Sequence, residues 1–394
     1  TWYRARVQSG VCAAVNSSSV AISINQLSVG GTISGASLVC TGTNRDTLTL
    51  SGNTGTLQWQ SSTDPSTIAF ANISGATTAT YNPVNLTATT YYRVAVTNGV
   101  CPVVYSDTTA TQVSAVAVGG TVSGATTVCT GVNSAQLAVS GYTSAVVKWQ
   151  WSSSSTFASN INDVAVTGDT LTASNLTTTT YYRAVISNGA CTANSGIAAV
   201  TVDPASVGGN VTGSTTVCYG TNSTTLGLNG YVGTIQWESS LNNSTFTPIV
   251  DSARAAFTAI DLGATTYYRA AVKNGVCASA TSNTATVTVS PATVAGTASG
   301  DTTVCASSNS SVITLNGYVG SIQWLVSSDN SSFTAISGAT NASYTASGLT
   351  ATRYYRASVK SGVCDSLLSN VVTVTVNPSS VGGSLAGNAT VCTG

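Results

Sequence analysis

Short runs in which apolar and polar residues alternate, each bounded by glycine or asparagine, recur along the whole chain. Thr224-Thr225-Leu226-Gly227-Leu228, Thr234-Ile235-Gln236-Trp237, Tyr267-Tyr268-Arg269-Ala270-Ala271-Val272 and Thr286-Val287-Thr288-Val289 are examples. A period of two places alternate side chains on opposite faces of a strand, and no stretch shows a helical period. The pattern predicts an all-β protein with several short strands per domain.

The runs return at a fixed interval. Tyr-Tyr-Arg is followed eight positions later by cysteine at Tyr91 to Cys101, Tyr181 to Cys191, Tyr267 to Cys277 and Tyr354 to Cys364, and Trp2-Tyr3-Arg4 leads to Cys12 in the same way. Trp59, Trp149, Trp237 and Trp324 keep step with them, so the unit is about 88 residues long. The expected division is 1–27, the end of a preceding copy; four copies at 28–115, 116–204, 205–291 and 292–378; and 379–394, the start of another. Ser9-Gly10, Asn98-Gly99, Asn188-Gly189, Asn274-Gly275 and Ser361-Gly362 precede the second cysteine, and this dipeptide suits a type I′ turn between the last two strands, F and G. Six-residue joints rich in proline and glycine, such as Pro204 to Gly209, connect the copies and predict a semi-rigid, elongated rod.

Cysteine usage speaks for an oxidising compartment. Cys40, Cys129, Cys218, Cys305 and Cys392 sit early in a copy, and Cys12, Cys101, Cys191, Cys277 and Cys364 sit late. Pairing within a copy gives Cys40–Cys101, Cys129–Cys191, Cys218–Cys277 and Cys305–Cys364, and leaves Cys12 and Cys392 to outside partners. The rival scheme joins each late cysteine to the next early one and staples the joints. Loop entropy hardly separates the two; the within-copy scheme is favoured because it needs no fixed relation between domains.

Trp59, Trp149, Trp237 and Trp324, with Tyr92, Tyr182, Tyr268 and Tyr355, read as core aromatics; a stacking platform for sugars is the alternative. Their order resembles the immunoglobulin plan of a core Trp on strand C and a tyrosine on strand F. The late cysteine falls beyond the F–G turn, however, so that plan's usual bridge does not carry over. The repeats, with Val118 to Gly124, Thr216-Val217-Cys218, Ile235-Gln236-Trp237, Leu262 to Arg269 and Asn274 to Cys277, resemble those of giant Bacteroidota adhesins exported by the type IX secretion system, including the SprB-type gliding adhesins. The resemblance implies an extracellular, cell-surface location and a structural shaft that serves attachment and gliding. Neighbouring repeats, a surface polysaccharide or other substratum, and the outer-membrane secretion and motility machinery would be its partners. It also implies O-glycans at Asp-Ser/Thr sites, which here are Thr47, Thr108, Thr170, Ser252, Thr302 and Ser366.

Charge and composition argue against other classes. Twelve basic residues balance twelve acidic ones, none is histidine, and Lys and Arg are scattered, so a nucleic-acid partner is not expected. No apolar run is long enough to span a bilayer. Without histidine, and with Glu238 the sole glutamate, neither a hydrolase triad nor a recurring carboxylate pair can be assembled, so neither enzymatic activity, a metal nor a cofactor is expected. Multivalent carbohydrate binding by the repeats, or a spacer role beside a secreted enzyme, are the alternatives to the shaft.

Overall fold

The computed structural model describes residues 1–64 and 70–391, so Cys392 lies outside the described residues. Among the described residues every regular element is a strand. Two compact units, Thr1–Val202 and Asp203–Gly394, divide the chain, and each holds tandem copies of one immunoglobulin-like sandwich.

The copy at 205–291 illustrates the plan. A three-stranded sheet runs Asn210–Thr212, Ser223–Asn229, Ala256–Ile260; a larger one runs Thr215–Cys218, Ala285–Ser290, Thr266–Lys273, Thr234–Ser240, Thr247–Pro248, with Ala280–Thr281 also on the central strand. Along Thr266–Lys273 the residues Thr266, Tyr268, Ala270 and Val272 turn inward, and Tyr267, Arg269 and Ala271 lie nearer solvent. Trp237 pairs across the sheet with Ala270, whose small side chain leaves room for the indole. The two sheets close over Leu226, Leu228, Trp237, Tyr268, Val272 and Val287.

Buried polar groups in this core are matched by backbone partners, as a low-dielectric interior requires. Trp237 Nε1 donates to the Arg254 carbonyl at 2.8 Å, and Trp59, Trp149 and Trp324 make the same bond to Thr78, Gly168 and Asn341. Gln236 Nε2 donates to the carbonyls of Trp237 and Ile249, as Gln58 and Gln323 do at their own positions. Near the other end of each sandwich an asparagine bridges two loops. Asn222 Nδ2 donates to Cys218 and Leu262 carbonyls while its Oδ1 accepts from Leu262 N; Asn44, Asn133 and Asn309 repeat this.

The strand after the F–G turn is broken in two. Its first piece follows the far half of the central strand and its second the near half, and Ser282 Oγ fills the break by accepting from Ala270 N. Ser106, Ser195 and Ser369 do the same for Val94, Ala184 and Ala357.

The turn itself is not the expected type I′. Positive φ falls on Gly99, Gly189, Gly275 and Gly362 (60°, 62°, 48° and 51°) and on none of the residues before them. Cys101 N donates to Asn98 O, and Cys277 and Cys364 donate likewise to Asn274 and Ser361. Glycine is thus the first central residue, the pattern of a type II′ turn, and the asparagine opens the turn with its side chain left for other work.

One pairing sets the end of each copy. The strand that carries the early cysteine runs parallel to the last strand: Cys218 stands opposite Ser290, Cys40 opposite Ser114 and Cys305 opposite Asn377. The early cysteine therefore lies where the chain leaves its sandwich. In residues 1–27, Trp2–Tyr3 pairs with Val20–Ala21 and Arg6–Val7 with Val15–Asn16.

Replacing Trp237 by alanine is expected to destabilise its sandwich by about 3–5 kcal/mol, read as a lowered urea midpoint. A second expectation concerns acid. Burial alone would raise the pKa of Asp46, but hydrogen bonds from Thr111 Oγ, Ser37 N and Oγ, and Thr47 N outweigh it and hold the carboxyl below its usual value. A depressed folded pKa contributes stability above the unfolded value near pH ~4 that is lost as pH falls through the folded one. Urea melts at descending pH should show a larger loss in the native chain than in Asp46→Asn, which keeps the lowered carboxyls of Asp163 and Asp329.

Candidate functional site

The recurring aromatics do not form a surface platform. Trp59, Trp149, Trp237 and Trp324 are wholly buried, and Tyr92, Tyr182, Tyr268 and Tyr355 are at most 5% exposed. Tyr81 packs between Trp59 and Tyr92, and Phe257 between Trp237 and Tyr268. Burial pushes the Tyr92 phenol up to about 12. Two shallow grooves recur at equivalent places, one lined by Ser240, Asn242 and Thr266, the other by Ser327, Asp329 and Arg353, neither with an aromatic ring, whereas a third in the second copy has Trp151 and Tyr182 in its lining. Among the described residues no group of His, Cys, Asp or Glu could hold a metal ion.

Of the residues singled out for O-glycans, Thr47, Thr108, Thr170, Thr302 and Ser366 are exposed. Ser252 is buried, and its hydroxyl donates to Ile249 O while accepting from Gln236 Nε2.

The cysteines come together at the joints, in a connectivity that neither sequence scheme contains. Cys40 bonds to Cys191 and Cys218 to Cys364, with Cα atoms 4.8 and 4.9 Å apart. Cys129 and Cys277 are oxidised as well, and Cys12, Cys101 and Cys305 are free thiols. The pairings Cys40–Cys101, Cys218–Cys277 and Cys305–Cys364 are therefore corrected, and with them the assignment of Cys129 and Cys191 to each other. The cause is the parallel pairing described above. It puts Cys40 beside the last strand's end, whereas Cys101 lies past the far end of the eight-residue strand Thr90–Thr97, a distance of about 25 Å at 3.3 Å per residue. The rival pairing of Cys191 with Cys218 is corrected too, since Cys191 is bonded to Cys40 and Cys218 to Cys364.

Each bonded joint is a seat for a hairpin. In the first unit the turn Asn188 to Cys191 rests on the end of the preceding sandwich. Asn188 Nδ2 donates to Ala115 O at 3.2 Å, Ala190 N donates to Ser114 Oγ at 3.1 Å, and Cys191 Sγ lies 3.4 Å from Ser114 O. In the second unit Ser361 N donates to Thr293 Oγ1 at 3.1 Å, and Cys364 Sγ lies 3.3 Å from Pro291 O. Cys191 and Cys364 are 2% and 3% exposed, so the bonds are shielded from solvent. Sequence reading found the turn but missed its partner. The Ser or Thr in the joint, Ser28, Ser206 and Thr293, each accepting from the first residue of a turn, was the available signal.

The guanidinium carbon of each Tyr-Tyr-Arg sits over a phenylalanine ring, 3.9 to 4.3 Å from its centre, at Phe70, Phe157, Phe246 and Phe333. Arg93 and Arg183 donate Nε–H to Gln60 and Gln150, and Arg269 to Glu238 at 2.7 Å. In the fourth copy Leu325 stands opposite Arg356, whose Nε is buried without a partner.

A family model described as "Domain of unknown function (DUF8696)" matches residues 29–115, 118–204, 207–291 and 294–378, most of the chain. The chain belongs to the DUF8696 family. Each DUF8696 match opens on a valine, Val29, Val118, Val207 or Val294, that lies within a joint. None of the curated proteins matches it in sequence. Among solved structures, the three immunoglobulin domains I67–I69 of titin align at 13% identity and TM-score 0.41, over 65% of this chain and 96% of that one. The N-terminal four immunoglobulin domains of Dscam1 align at 12% identity and TM-score 0.26, over 90% and 99%. The FN1–FN3 domains of chicken CNTN1 align at 13% and 0.25, over 65% and 97%.

Leu325→Gln should supply the missing acceptor and stabilise the fourth DUF8696 module by about 0.5–1.5 kcal/mol, measured by chemical denaturation beside the unchanged chain.

Proposed function

We propose that this chain is part of the shaft of a secreted cell-surface adhesin of the Bacteroidota type, exported by type IX secretion, and that it carries attachment and gliding forces between a binding region and the cell. The observation that carries this reading is the covalent joint: Cys40–Cys191 and Cys218–Cys364 each tie one module to the next. A module that acted alone would gain nothing from a bond across its boundary, whereas a load-bearing series gains a fixed joint. Disulfides of this kind belong to an oxidising, extracellular setting. The exposed Thr47, Thr108, Thr170, Thr302 and Ser366 are the O-glycan sites in this reading, and Ser252 is withdrawn. Neighbouring repeats are the direct partners, with the outer-membrane motility machinery and a surface polysaccharide at the two ends of the shaft. Buried Trp and Tyr side chains weigh against the repeats themselves being carbohydrate modules.

Single-molecule pulling tests the load-bearing role. Sequence separations of 151 and 146 residues mean that each intact bond withholds about 500 Å of chain at ~3.4 Å per residue. Extension at full unfolding should therefore rise by about that length per bond when reductant is added. An unchanged length would remove the covalent joint from the argument. Retention of the isolated chain on immobilised polysaccharide would instead favour the carbohydrate reading.

A further inference from the structure

Two of the free cysteines occupy the same surroundings as bonded ones. Asn98 N donates to Ser28 Oγ at 3.0 Å and Asn98 Nδ2 to Gln26 O at 2.9 Å. Asn274, which precedes the oxidised Cys277, makes the matching bonds to Ser206 Oγ and Pro204 O. The Cys101 thiol donates to Gln26 O at 3.3 Å, the distance that separates Cys364 Sγ from Pro291 O. The Cys101 hairpin is thus already seated on its joint segment in the bonded pose. Val100 at its tip is 97% exposed, against 54% for Val276 and 53% for Val363.

Cys305 is the reverse case. Its strand, Thr302–Cys305, runs parallel to the last strand with Cys305 opposite Asn377, the relation that Cys40 has to Ser114 and Cys218 to Ser290. Cys40 and Cys218 each receive a hairpin cysteine from the next module, while Cys305 is exposed and free.

We propose that the Cys101 hairpin and the Cys305 strand end are the two complementary halves of one docking interface, each built to receive a further DUF8696 module, and that docking ends in a disulfide. At Cys101 the incoming module presents a cysteine beside its own last strand; at Cys305 it presents a cysteine just past its hairpin turn. Formation of the S–S bond removes one proton and one electron from each thiol. A small-molecule disulfide or a disulfide oxidoreductase accepts them and is released as two thiols. The inference does not depend on the adhesive role, because it rests on the joint geometry alone.

The full chain can supply its own partner. Val381-Gly382-Gly383 repeats Val29-Gly30-Gly31, so residues 1–380 followed directly by residues 29–394 continue the pattern in register. Oxidation with glutathione disulfide, alkylation and non-reduced peptide mapping should then give a peptide joining Cys305 of the first pass to Cys101 of the second. Alkylation of Cys101 and Cys305 should fall to half of that in the unextended chain. Cys101→Ser in the second pass should abolish the cross-linked peptide, and the same change in the first pass should leave it. Full alkylation of both cysteines, with Cys40–Cys191 intact as the sign of correct folding, would overturn the proposal.

Discussion

The parallel pairing of each early-cysteine strand with the last strand of its own sandwich is the constraint from which the rest follows. Antiparallel neighbours can be joined by a tight turn, but a parallel pair brings together segments from opposite ends of the domain. In the first module this brings Leu38–Cys40, near its start, alongside Gln112–Ser114, at its end. The cysteine is thereby delivered to the exit of the sandwich, within reach of the next module and out of reach of its own hairpin. Connectivity of the disulfides, burial of their sulfurs and the fixed seat of the hairpin are all consequences of that one pairing.

Within a sandwich, the same small set of side chains repeats the same tasks. Tryptophan fills the centre and spends its N–H on a loop carbonyl, the asparagine closes two loops at one end, and the serine after the turn fills a break in the last strand. Each satisfies backbone groups that a broken or curved sheet would otherwise leave buried without partners. Where the pattern lapses the lapse is local. Leu325 leaves Arg356 Nε unpaired, yet the arginine keeps its place over Phe333 at 3.9 Å.

Much of this was legible beforehand because it is periodic. Alternation gave the strands, the Trp and Tyr series gave the unit, and their recurrence once per copy pointed to a core. The joints were not legible, for a physical reason. Distance along the chain, the only measure a sequence offers, places Cys40 at similar reach of several partners, and the direction of one strand decides among them. The turn misreading has a related origin. Asn-Gly was assigned to the two central positions on backbone preference alone, whereas Asn98 and Asn188 open their turns and direct their amides at the joint. Ser252 fitted a short surface motif, but hydrogen bonding with Gln236 draws it inside.

The long loops closed by these bonds also bear on damage. A chain in an oxidising, extracellular setting meets proteases, and the proline- and glycine-rich joints are the segments they would reach first. With Cys40 held to Cys191 and Cys218 to Cys364, a single cut anywhere inside either loop opens the backbone without parting it. The nicked strand stays tethered through sulfur, and two severed ends remain close enough to keep their sandwiches docked.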